Sequence, residues 1–167
     1  MTPLILASAA AVVVAAPAQA RGSVIYAGGG WAAIERGNAC EALSRSAKVA
    51  GKGKVQARAG FAFTPDRRRW GEFHARLSRT PRPGSSVMLQ VGGQPFLLVA
   101  RGGWAWSRGP LQEQAIIAAV RNSTSMRIEG RDGYGRRFTD PYLLQGAPTA
   151  IDAAAARCAL RGAGRIR

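Results

Sequence analysis

The chain has only two cysteines, Cys40 and Cys158, separated by 118 positions. If their sulfurs join, an early segment is pinned to nearly the last one. Every architecture that holds those segments apart is then excluded. Such a link restricts the unfolded chain by roughly 4–5 kcal/mol in the chain-entropy model, comparable with the net stability of a small domain. The compartment decides whether it forms. A reducing cytosol keeps two lone cysteines as buried thiols, whereas an oxidising compartment pairs them.

The first twenty residues speak to that compartment. "MTPLILASAAAVVVAAPAQA" has no charged side chain, runs apolar from Leu4 to Ala16, meets the breaker Pro17 and ends Ala18-Gln19-Ala20. That ending is the small-x-small pattern of a signal-peptidase site. The apolar run is shorter than the roughly 20 residues a helix needs to span a bilayer. The sequence therefore predicts a cleaved signal peptide at 1–20, with an uncleaved anchor as the alternative. A single β-rich extracytoplasmic domain follows at 21–167, with a frayed tail from about 160. The expected location is periplasmic or secreted, and the expected pairing is Cys40 with Cys158.

Charge narrows the partners. Lys plus Arg is 24 against 9 for Asp plus Glu, a net +15. All the cations except Lys48, Lys52 and Lys54 are arginine. Arginine preference beside abundant Ala, Gly and Pro is what a GC-rich gene produces, so it carries no functional weight. The surplus of cations does carry weight. It implies attraction to lipid head groups, acidic glycans or nucleic acid, and an exported protein meets the first two.

Short apolar runs broken by Gly and Pro dominate the chain. Arg21 to Gly30 reads as a glycine-rich lead-in, and Gly37-Asn38 as a turn between two short strands, the second carrying Cys40. Lys48 to Gly60 is small, basic and Gly-rich, a surface loop. Phe61 and Phe63 share one side of a strand before the turn at Pro65-Asp66. From Trp70 the alternation is clean. Gly71, Phe73, Ala75 and Leu77 take one face; Trp70, Glu72, His74, Arg76 and Ser78 take the other, as in a half-buried antiparallel strand. Gly92-Gly93 and Asp132-Gly133 read as tight hairpin turns. Pro95 belongs on an edge or at a strand start. "PLQEQAIIAAVR" is a helix, with Pro110 at its first position and Glu113 complementing its dipole. Thr149 and Asp152 form a capping box for a second helix, whose stripe Ile151, Ala154, Ala155 and Cys158 faces inward. The fold class is mainly β with two helices: a compact antiparallel β-sandwich-like domain with the helices packed at one edge or end.

Candidate sites are few. "RRRW", Arg67, Arg68, Arg69 and Trp70, follows a turn, and arginine forks grip phosphate or carboxylate. With Arg76 on the face assigned to Trp70, the five residues form a candidate anion-binding patch; the alternative is a solvated loop whose charges discourage edge pairing. Trp104 and Trp106, two apart, form a candidate aromatic platform for a sugar ring, or else ordinary packing. His74 is the sole histidine. A hydrolase built on it needs a nucleophile from elsewhere, because Ser78 on the same strand is about 13 Å away. The sequence predicts no metal or cofactor site, and "GKGK" lacks the strand-before and helix-after context of a phosphate loop.

"PFLLVARGGWAW", "LQEQAIIAAVRNSTSMRIEG" and "YLLQGAPTAIDA" resemble the C-terminal half of the invasion-associated locus B family, small exported bacterial proteins of mainly β fold. The likeness runs from about Trp70 to Cys158. Pro95, Phe96 and Gly103 fit the family's central segment, while Val99 and Trp104 stand where its local cysteine pair would be. Leu144, Gly146 and Ala150 fit its later Leu-x-Gly-x-x-x-Ala element. The resemblance implies an extracytoplasmic location and, in some members, a link to host-cell invasion; it brings no catalytic residues. The sequence thus points to a non-catalytic envelope protein binding an anionic envelope or host-surface component, or a protein partner, through a basic surface. A periplasmic hydrolase using His74 and a nucleic-acid-binding protein are the alternatives.

Overall fold

The computed structural model describes residues 22–164. The apolar leader at 1–20 and the tail residues 165–167 lie outside the described residues. Ten strands form one antiparallel sheet: β1 (Ser23–Gly28), β2 (Trp31–Arg36), β3 (Ala39–Arg45), β4 (Arg58–Phe63), β5 (Trp70–Arg76), β6 (Val87–Val91), β7 (Gln94–Arg101), β8 (Trp104–Trp106), β9 (Ser125–Arg131) and β10 (Arg137–Leu143). Their spatial order is β1-β2-β3-β4-β5-β8-β7-β6-β9-β10. Two helices, α1 (Pro110–Arg121) and α2 (Ala147–Ala163), complete the domain. The mainly β, sandwich-like class read from the sequence is the one observed.

The sheet bends until its ends meet. The Ala47 N–H and the Ser46 hydroxyl both donate to the Pro141 carbonyl, at 2.8 and 2.9 Å. The Trp31 indole N–H donates to Leu143 O at 2.8 Å. β10 is thereby tied to β2 and to the chain leaving β3, and the inner face becomes one core. Phe61 and Phe73 pack edge-on within it, 5.4 Å between ring centres.

The sulfurs of Cys40 and Cys158 are joined, with their Cα atoms 5.8 Å apart. Cys40 lies on β3 opposite Phe63 of β4. Ala147, Ala150, Ile151, Ala154 and Cys158 form the buried stripe of α2. Four of those five side chains are no larger than a thiol, which lets the helix approach the sheet closely. The expected stripe is present, although Ala155 is only partly buried.

Several local expectations are overturned. The segment read as a lead-in contains β1, paired to β2 from Ser23 to Gly28. The Lys48–Gly60 loop is shorter than expected, since β4 begins at Arg58. Gln56 fastens that loop, accepting from the Ala50 N–H and donating to the Ser46 and Lys48 carbonyls. Gly92-Gly93 does form a two-residue hairpin turn, with Val91 opposite Gln94 and φ of 53° and 89°. Asp132-Gly133 does not. The loop there runs through Arg136 because the Asp132 carboxylate gathers the Tyr134 and Arg136 N–H groups and the Arg79 guanidinium. Pro95 is the second residue of β7 rather than the first, at a level where β8, which pairs only from Val99 to Arg101, leaves β7 open on that side.

The capping box of α2 is absent. The helix starts at Ala147 from a left-handed Gly146 and has no side-chain cap, and Asp152 instead pairs with Arg121. A Cβ on Gly146 would meet Gly28 O at 2.2 Å, and one on Gly29 would meet Gln145 O at 2.3 Å. This crossing of two backbones, not a cap, fixes where the helix begins. Nor is the tail frayed from 160. α2 continues to Ala163, and Arg161 reaches Glu35 at 2.9 Å and Gly37 O at 3.0 Å.

Candidate anion-binding face

Alternate residues of β3, β4, β5, β8 and β7 point away from the core, and strand register sorts them into rows. Arg45 lies opposite Arg58, Arg58 opposite Arg76, Arg76 opposite Trp104, and Trp104 opposite Arg101. At the usual strand spacing this row is about 19 Å long. The next row is Leu43, Gly60, His74, Trp106 and Val99. A third holds Glu41, Ala62 and Glu72. The face therefore grades from cationic through neutral to acidic within three steps along the strands.

Like charges placed directly across a ladder destabilise it. Among the described residues, Arg45, Arg58, Arg76 and Arg101 make no ion pair. Trp104 offsets part of that repulsion. The Arg58 and Arg76 guanidinium carbons lie 5.4 and 5.7 Å from its ring centre, near enough for cation–π attraction. Arg76 reaches that position across Gly103, where any Cβ would stand 2.1 Å from its Nη1. Trp106 stacks on Trp104 at 6.3 Å and 19°.

Small residues in β4 make this face concave. A Cβ at Gly60 would meet Ala42 O and Leu43 Cδ2 at 2.4 Å and His74 Nε2 at 3.3 Å. Leu43 and His74 close over the bare backbone, and the recess beside them has a volume of about 370 Å³, walled by Arg58, Arg76, Trp104 and Trp106.

His74 is 8% exposed, and its Nε2 has no hydrogen-bond partner among the described residues; Glu41 Oε1 is 3.7 Å away. Burial, then the charges of Arg69 and Arg58, hold its pKa down at about 4. The imidazole is neutral at pH 7 and weakly basic. No residue lining the recess carries a hydroxyl or thiol, so His74 has no nucleophile beside it to activate. Among the described residues no group of three or more His, Cys, Asp or Glu side chains converges as a metal site requires.

The five-residue patch expected around Arg67 is split. The turn from Thr64 to Arg69 leads into an irregular register in which Trp70 pairs with Phe63 while Glu72 pairs with Ala62. Gly71 is the extra residue, with φ of +86°. Trp70 leaves the Arg76 side and packs edge-on against Phe63 at 5.4 Å. Arg67 follows it, 4.5 Å above the indole, in a groove between α1 and α2 that Arg68 also lines. Only Arg69, paired to Glu72 at 2.9 Å, joins Arg76 beside the recess. The platform residues Trp104 and Trp106 stack together, and Trp104 meets both Arg76, named in the expected patch, and Arg58, which the sequence had not singled out. Arg45 and Arg58 were legible in principle from the alternations Glu41-Leu43-Arg45 and Arg58-Gly60-Ala62. Assigning Arg58 to a loop hid the second.

Fold and face together define a disulfide-clasped antiparallel β domain that carries an arginine-and-tryptophan surface on one side of its sheet. Comparison with protein-family models, curated proteins and solved structures finds no match for this chain.

Proposed function

We propose that the chain is a non-catalytic exported protein of the cell envelope, and that it holds an anionic envelope or host-surface component on its outer sheet face. One observation carries this reading: four arginines that make no ion pair among the described residues stand in a single row with Trp104, which stacks on Trp106. Stability alone gives no reason for such a row, whereas a ligand with repeated negative charge does. An acidic polysaccharide suits it best. Its charges meet the arginine row, and its ring faces lie on Trp104 and Trp106. Export is supported by the apolar leader in the sequence and by the disulfide, a link typical of oxidising compartments. The resemblance to invasion-associated locus B proteins points to the same location.

A second reading has its own support. Aromatic rings flanked by arginines on a sheet are also how single-stranded nucleic acid is held. Calorimetric titration with oligogalacturonate and, separately, with a single-stranded oligothymidylate tests both. The expected result is salt-sensitive binding of the uronate, weakened at least tenfold by Arg58→Ala with Arg76→Ala. Binding of the oligonucleotide alone would favour the second reading, and binding of neither removes the face as a ligand site.

A further inference from the structure

At the strand ends nearest the arginine row, three loops surround a separate cavity of about 1150 Å³: the loop after β3, the loop after β5 and the loop joining β9 to β10. Two features coincide on its rim. The first is exposed apolar surface: Val49 is 84% exposed, Tyr134 86% and Val55 40%. Of the other large exposed apolar side chains, Val24, Leu111, Leu143 and Leu160 lie on four different elements, β1, α1, β10 and α2, and Val99 belongs to the neutral row of the sheet face. The second is uncompensated charge. Lys48, Lys54, Arg82 and Arg101 line the same cavity and make no ion pair among the described residues.

The carboxyls lining the cavity do not neutralise that rim. Asp132 is buried beneath Arg79 and Arg136, which bond its Oδ2 at 2.7 and 3.1 Å. Asp140 is buried and accepts the Ser78 N–H at 2.9 Å. Arg136 also lies 5.0 Å above the Tyr134 ring, so an exposed aromatic carries its own cation. Apolar tips ringed by lysine and arginine suit an anionic bilayer: the cations meet lipid phosphates while the tips enter the headgroup layer.

We infer that this loop end seats on an anionic lipid surface. The inference shares only Arg101 with the sheet-face reading; Val49, Tyr134, Lys48, Lys54 and Arg82 take no part in the arginine row.

Co-sedimentation with phosphatidylcholine vesicles, with and without phosphatidylglycerol, tests it at physiological ionic strength. The chain should partition to the anionic vesicles only. The triple change Lys48→Gln, Lys54→Gln, Arg82→Gln should weaken partition about 100-fold, at roughly fivefold per cation. A Tyr134→Trp variant should gain fluorescence quenching by brominated lipid. Equal partition to neutral vesicles, no partition at all, unaltered partition of the triple variant, or a Tyr134→Trp variant that binds without added quenching would each overturn the inference. So would partition abolished by Arg58→Ala with Arg76→Ala but retained by the triple variant, since the lipid would then lie on the sheet. All the loop substitutions are at surface positions, and thermal melts matching the parent exclude misfolding as their cause.

Discussion

Strands β3, β4 and β5 present two faces whose chemistry is opposite. Inward lie Cys40, Ala42, Ala59, Phe61 and Phe73, each shielded from water. One residue away in either direction lie Glu41, Leu43, Arg58, Gly60 and His74. The inner face has apolar contacts and a covalent link. The outer face keeps arginines beside arginines and a buried imidazole nitrogen without a partner, arrangements that oppose stability. Residue parity thus lets one backbone carry both, and in these three strands the unfavourable choices stand on the outer side, where the proposed ligand would lie.

That contrast can be broken most forcefully from within. Replacing both Cys40 and Cys158 with Ser should lower stability by about 4–5 kcal/mol, measured by urea denaturation; a loss below about 1 kcal/mol would mean the link is incidental to the inner face. Phe61→Ala should cost about 3–5 kcal/mol in the same assay and leave polyanion affinity at its parent value when measured well below the melting temperature. His74 supplies a pH signature for the outer face. Its folded pKa of about 4 lies below the unfolded value of 6.5, so the unfolded chain takes up the proton first. Stability should decline as pH falls from about 6.5 towards 4, by an amount on the order of 3 kcal/mol. His74→Gln should flatten that slope, and an unchanged slope would place its origin elsewhere. Trp104→Ala should reduce oligogalacturonate affinity about tenfold, within the range for a lost aromatic contact. Smallest of all, Arg45→Thr should leave stability unchanged or raise it by a few tenths of a kcal/mol while weakening polyanion binding. A clear loss of stability would show that the row is structural.

Much of this division is visible in the letters. The alternation from Gly71 to Leu77, the Gly92-Gly93 turn and the inward stripe of α2 are local periodicities, and local physics keeps them. The paired sulfurs were readable from number and leader alone. What escaped depends on residues distant in sequence. Trp70 changes sides because Gly71 takes an extra place opposite β4. Asp152 turns to Arg121, 31 residues away, instead of capping its own helix. Glu113, read as a dipole partner, is buried at 7% exposure and accepts from the Ser107 hydroxyl at 3.0 Å; burial raises its pKa. The arginine row could not be assembled from spacing because its members come from four strands, β3, β4, β5 and β7, and β8, which follows β7 in the chain, stands between β5 and β7 in the sheet to bring Trp104 among them.

The sulfur link between β3 and α2 also makes the 118-residue span between its ends a covalent ring. A trypsin-like enzyme cutting once beside Lys52, in the lysine-bearing loop after β3, would open the ring without releasing a fragment. The first three strands would remain tethered to the rest through α2, and gel electrophoresis would reveal the scission only after a reductant was added.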